Sequence, residues 1–180
     1  MATIDLIVLG MLKKEPLSAY DIQKLVEYRN ISKWVKISTP SIYKKVLQLE
    51  DKGLIESTTV QGENLADKAV YSLTAAGAAA FERLMAELSD KPIHFFLDFN
   101  AVIVNLPSLA PAQQKACLAE IEVNVQTLKA YLQENLARKE NLPTIPETGL
   151  AVLQQQMLLA EAIEAWLATL KQSLAGAESL

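Results

Sequence analysis

The chain has 180 residues, 51% of them hydrophobic, with a formal net charge of −4. That length supports one core or two small ones, and no apolar run reaches the roughly 18 residues of a membrane span. The single cysteine, Cys117, excludes an intramolecular disulfide and points to a reducing, cytoplasmic setting. No secretory leader pattern is read at the start.

Ile4, Ile7, Val8, Met11 and Leu12 fall on one face at helical spacing, which predicts a first helix over 3–14, stopped by Glu15 and Pro16. Ser18 with Asp21 three residues on has the spacing of a reciprocal helix cap. Tyr20, Ile22, Leu25, Val26 and Tyr28 are expected to form the buried side of the second helix. Asn30 and Ser32 mark a loop, and Trp34 is expected to pack between the second and third helices.

The stretch 38–74 organises the chain. Thr39 can cap a helix whose first position is Pro40, where a missing N–H is no loss. Ile42, Val46 and Leu49 form one apolar stripe, and Gly53 ends the helix. Leu54 and Ile55 open a strand, Gln61 to Asn64 read as a turn, and Val70 to Leu73 alternate as a second strand. Thr74 then caps a fourth, alanine-rich helix over 75–88. Helix, strand, turn, strand is the core of a winged helix, a mainly α fold with a small β-wing.

Ser89 to Pro92 read as a boundary, giving domains 1–89 and 90–180. The apolar run from Ile93 to Val104 is expected to be a buried helix. A long helix over 112–141 carries the seam Leu118, Ile121, Val125, Leu128 and Leu132. After Pro143 and Pro146 another follows over 148–174. It is apolar on two sides: Leu150, Leu153, Met157, Ala160, Leu167 and Leu174 on one, Leu159, Ile163, Trp166 and Leu170 on the other. A helix apolar on two sides must be covered on two sides, so a homodimer is expected.

Charge is unevenly spread. Between Lys24 and Lys52 there are seven basic residues against three acidic; from Asp90 onward there are six against ten. The basic stretch surrounds the third helix, whose N-terminal residues could reach base edges in a major groove. Ser38, Thr39, Ser41, Lys44 and Lys45 lie there off the Val46–Leu49 stripe, with Lys36 just before. His94 and Asp98, four apart, are too few for a metal centre. There is one histidine and no glycine-rich phosphate loop. Neither catalysis nor a metal or cofactor is expected.

The order IYKKVLQLEDKGLIES then VYSLTAAG, with VLGML, Pro16, SAYDI, Trp34 and Ser38 upstream, resembles the PadR family of bacterial transcriptional regulators. The resemblance covers about the first half of the chain. It implies a winged helix-turn-helix, a helical C-terminal dimerisation domain, and a dimer on a near-palindromic operator in double-stranded DNA. It also implies repression relieved by a small phenolic or otherwise aromatic effector. Tyr43 corresponds to the family's tyrosine that touches the DNA backbone, and Lys68 keeps one charge of the usual basic pair in the wing. Lys44 replaces the family's proline after that tyrosine, and Ala69 replaces the second wing cation. Trp166 and His94, in or beside the expected dimerisation half, are the candidate effector contacts. The alternative is a winged-helix adaptor that binds protein and not DNA.

Overall fold

Helix α1 (Ala2–Leu12) buries Val8, Leu9, Met11 and Leu12 in the core of the first of two units of the computed structural model. The structure describes residues 2–35, 37, 41–60, 68–140, 142 and 145–177, with side chains to residue 175. The two units are Met1–His94 and Phe95–Leu180. The expected break after Ser89 therefore falls inside the first unit.

Helix α2 (Ala19–Tyr28) opens with the reciprocal cap its sequence suggests. The Asp21 N–H donates to Ser18 Oγ at 3.2 Å, while the Ser18 N–H and hydroxyl both donate to Asp21 Oδ2, at 3.2 and 2.7 Å. Ile22 and Val26 are its buried stripe. Tyr20 and Tyr28, expected on that stripe, are each 55% exposed. They sit two residues before and after the buried pair, on the opposite side of a 3.6-residue period. Asn30 leaves the helix at φ 53°, in the left-handed region that asparagine tolerates, and a 3-10 turn follows over Ile31–Lys33. Trp34, expected in the core, lies after that turn and is 40% exposed.

Helix α3 (Ser41–Asp51) keeps Ile42, Val46 and Leu49 fully buried. Each such side chain contributes about 1.5–3 kcal/mol relative to exposure. Gly53 reverses the chain at φ 67°, and the Leu54 N–H returns to Leu49 O at 3.0 Å. Strands β1 (Ile55–Val60) and β2 (Lys68–Leu73) pair antiparallel, from Ile55 opposite Leu73 to Val60 opposite Lys68. Leu17 adds a one-residue bridge on the other side of β2 by exchanging two backbone hydrogen bonds with Tyr71. The wing is thereby tied to the start of α2. Thr74 caps α4 (Ala75–Ser89) by accepting from the Gly77 N–H, and its hydroxyl donates to Gly53 O at 2.8 Å. The expected caps at Thr39 and Pro40 and the turn at 61–64 lie outside the described residues.

In the second unit α5 (Phe99–Asn105) is short, and a 3-10 turn over Leu106–Ser108 leads to α6 (Pro111–Lys139). Helix α7 (Glu147–Ala177) packs along α6. Leu106, Leu118, Ile121, Val125 and Leu167 form one core, and Leu132, Leu153 and Ala160 another. Lys129 pairs with Glu164 and Lys171 with Glu122 across the two helices. Leu128 of the expected seam is instead 43% exposed. The expected helix from Ile93 is corrected too. Residues 93–97 have no regular structure and the helix begins at Phe99. Ile93 and Phe96 are 84% and 86% exposed. A continuous apolar run carries no period, so it does not by itself specify a helix.

Candidate nucleic-acid interface

The stripe Ile42, Val46 and Leu49 turns one side of α3 inward, which leaves Tyr43, Lys44 and Leu47 exposed on the other. Ser41, at the helix start, is partly buried. Helix α2 adds Tyr20 and Lys24 alongside: the Lys24 ammonium lies 5.4 Å from the Tyr20 ring centroid. The hydrogen bond from Lys24 to Glu27, at 3.1 Å, raises the lysine's pKa, and the Tyr20 and Tyr43 hydroxyls add to the rise. Helices α2 and α3 pack against each other; Tyr20, Lys24, Tyr43 and Lys44 are exposed on them, with Lys24 paired to Glu27. Cations of this kind meet phosphates or base edges, and aromatic hydroxyls donate to phosphate oxygens.

Two expected contacts are placed differently. Lys45 is buried: its Nζ lies 2.7 Å from Asp5 Oδ1 of α1, and the two side chains are only 7% and 15% exposed. Position 45 is three after Ile42 and four before Leu49, so it belongs to the inward edge of the helix. That spacing is readable from sequence. Lys68, at the start of β2, gives its ammonium to Asp21 Oδ2 at 2.7 Å. This hydrogen bond is the main reason the Asp21 carboxyl is held below its usual pKa. Asp21 thus joins the α2 cap to the wing through a half-exposed ion pair. Sequence reasoning finds neither acid as a partner, because both pairings join residues distant in the chain. Lys36, Ser38 and Thr39 lie outside the described residues.

Trp166 belongs to the second unit and is 40% exposed, whereas His94 is the last residue of the first. A cavity of about 240 Å³ lies between the start of α6 and the end of α7, lined by Gln114, Lys115, Leu118, Lys171, Leu174 and Ala175. Neither candidate effector residue lines it. Among the described residues no group of three or more histidines, cysteines and acids could hold a metal, and no helix is long and apolar enough to cross a membrane.

A three-helix head closed by a two-stranded wing, with the third helix exposed along one side, defines a winged helix-turn-helix protein. Residues 8–83 match the transcriptional regulator PadR-like family. The comparison with curated proteins gave no match. Among solved structures the fold is similar to that of Bacillus subtilis PadR in complex with operator DNA. There the identity is 19%, the match covers 93% of this chain and 97% of that one, and the TM-score is 0.80. The same protein in complex with p-coumaric acid matches at 19% identity, over 93% and 95% of the two chains, with a TM-score of 0.78. The Vibrio cholerae virulence activator AphA matches at 23% identity over 96% and 98%, with a TM-score of 0.71. Because these matches run nearly end to end, the likeness of fold extends through the helical second unit.

Proposed function

We propose that the chain is a sequence-specific DNA-binding transcriptional regulator of the cytoplasm. It acts as a homodimer on a near-palindromic operator, and represses by covering promoter DNA. The observation that carries this reading is the outer face of α3, where Tyr43 and Lys44 stand exposed directly behind a fully buried stripe. A helix fixed on one side and presenting a cation and a phenol on the other suits a major groove. Ser41, Tyr43 and Lys44 are the proposed contacts, together with Lys36, Ser38 and Thr39. Lys45 is withdrawn from that set, since it is buried against Asp5, whereas Lys68 stays in it as a half-exposed cation shared with Asp21.

Support for an operator comes from the similar Bacillus subtilis protein, which is seen in complex with operator DNA. Support for a small aromatic effector comes from the same protein in complex with p-coumaric acid. An effector relieves repression only if it favours the geometry that does not bind DNA. Dimerisation is supported by apolar side chains left exposed on the second unit's long helices, Val123, Leu128, Leu158 and Leu159. Sequencing the DNA fragments retained by the purified protein tests the reading. Recovery of a shared two-fold motif is expected. Retention no better than random would favour the protein-binding alternative.

A further inference from the structure

We infer that Asp5 and Lys45 are positioning residues for DNA reading: their buried pair sets the rotation of α3 against α1, and Lys45 itself does not touch DNA. The inference rests on the DNA-binding reading above and adds to it the groups that aim the reading helix.

The pair joins the first turn of α1 to the middle of α3, with Nζ to Oδ1 at 2.7 Å and little exposure on either side. Around it the contact between α1 and α3 is apolar: Val8, Leu9 and Leu12 from one helix, Ile42, Val46 and Leu49 from the other belong to one core. Apolar side chains hold helices together, but they tolerate repacking when volume is kept. A buried ion pair is different, because any arrangement that parts the two groups leaves a charge buried and unpaired, at a cost of about 3–5 kcal/mol. Taking two charges out of water also costs much of what their attraction returns. A volume-matched apolar pair there would be about as stable, or more so. Stability therefore does not account for charges at this place, whereas geometric definition does.

The geometry being defined is that of the reading surface. Tyr43 and Lys44 are the two residues immediately before Lys45 and face outward. A rotation of α3 by about 20° would move a side-chain atom roughly 6 Å from the helix axis by about 2 Å. The useful range for a hydrogen bond to a base edge spans only about 0.5 Å. A small turn of α3 would therefore cost sequence discrimination while leaving the fold and the general attraction to phosphates intact.

Two double variants of the full-length chain test this. In Asp5→Leu with Lys45→Met the pair becomes apolar. In Asp5→Lys with Lys45→Asp it is reversed. Each is titrated with the operator selected by the wild type and with random duplex, across a salt series. The apolar variant should melt at or above the wild-type temperature. It should lose discrimination between operator and random DNA by about tenfold, the scale of one close pairwise coupling. Its salt slope should be unchanged. The reversed variant should recover most of the discrimination. Wild-type discrimination in a folded apolar variant would overturn the inference. So would a salt slope lowered by about one in both variants, since that is the signature of a phosphate no longer neutralised by the lysine. If only one variant folds, its discrimination and slope decide; if neither folds, the pair is a folding element and the inference fails. A wild-type chain that selects no operator would overturn the DNA reading itself, a result separate from all of these.

Discussion

Phe99 of α5 stacks on Trp166 of α7, with ring centroids 6.0 Å apart and planes inclined by 29°. The stack pins the short helix to the long one, yet leaves the indole 40% exposed. Aromatic pairs of this kind contribute about 0.5–1.5 kcal/mol beyond their buried area. Replacing Phe99→Leu should therefore cost about 1 kcal/mol of stability and expose the indole further. In a Trp34→Phe background the emission of Trp166 should shift to the red. An unshifted spectrum would mean that the stack does not set the indole's environment. Trp166→Leu, in turn, should weaken binding of a true effector; unaltered affinity would make the tryptophan a packing residue only.

Assembly is open to a direct check. Leu158 is 65% exposed and Leu159 40%, on a helix that already buries Leu153, Ala160 and Leu167. Light scattering at micromolar concentration should give twice the chain mass. Leu158→Glu combined with Leu159→Glu should shift the chain toward monomer without unfolding the first unit. A wild-type monomer would remove the basis for a two-fold operator.

Asp21 gives a prediction in pH. Its carboxyl is held below the usual 3.8 by the Lys68 ammonium first and the Ser18 hydroxyl second. A lowered carboxylate pKa means stability that is fully present above pH 3.8 and lost as pH falls through the lower folded value. Asp21 and Lys68 are 37% and 49% exposed, so the pair contributes about 0–1 kcal/mol, at the screened surface level. Asp21→Asn should be less stable than wild type near neutrality, and the difference should narrow below pH 3.8. Urea unfolding at the two pH values measures it. A constant difference would mean that the carboxylate's charge is not the cause.

Gly77 gives a steric one. A Cβ there would sit 1.9 Å from Leu54 O and 2.8 Å from Leu73 Cδ1. The nearer atom is backbone at the turn into β1, so it cannot move aside as a side-chain tip would. Gly77→Ala should cost at least about 1–3 kcal/mol despite alanine's better helix propensity. A melting temperature equal to wild type would contradict this close packing.

The order of elements in the first unit is legible in the sequence because each signal is local. The stripe Ile42, Val46 and Leu49, the positive φ at Gly53, and the caps at Ser18 and Thr74 depend on residues a few positions apart. Local signals fail where the partner is distant. Lys45 and Lys68 look like free cations because Asp5 and Asp21 meet them only through the fold. Hydrophobicity alone places Tyr20 and Tyr28 inside, although their spacing puts them outside. The run from Ile93 to Phe96 reads as a helix because apolar content alone does not distinguish a helix from an irregular stretch.

Whether the outer face of α3 reads DNA is decided by Lys44→Ala combined with Tyr43→Ala. Binding of the operator fragment is followed by fluorescence anisotropy across a salt series, beside thermal unfolding of the same samples. Unchanged melting and a large drop in operator affinity are expected. If Lys44 reads a base, its removal should cost about 1–3 kcal/mol of binding. If it meets a phosphate, its removal should lower the salt slope by about one. Operator affinity equal to wild type, in a variant that melts normally, would move the reading surface off α3.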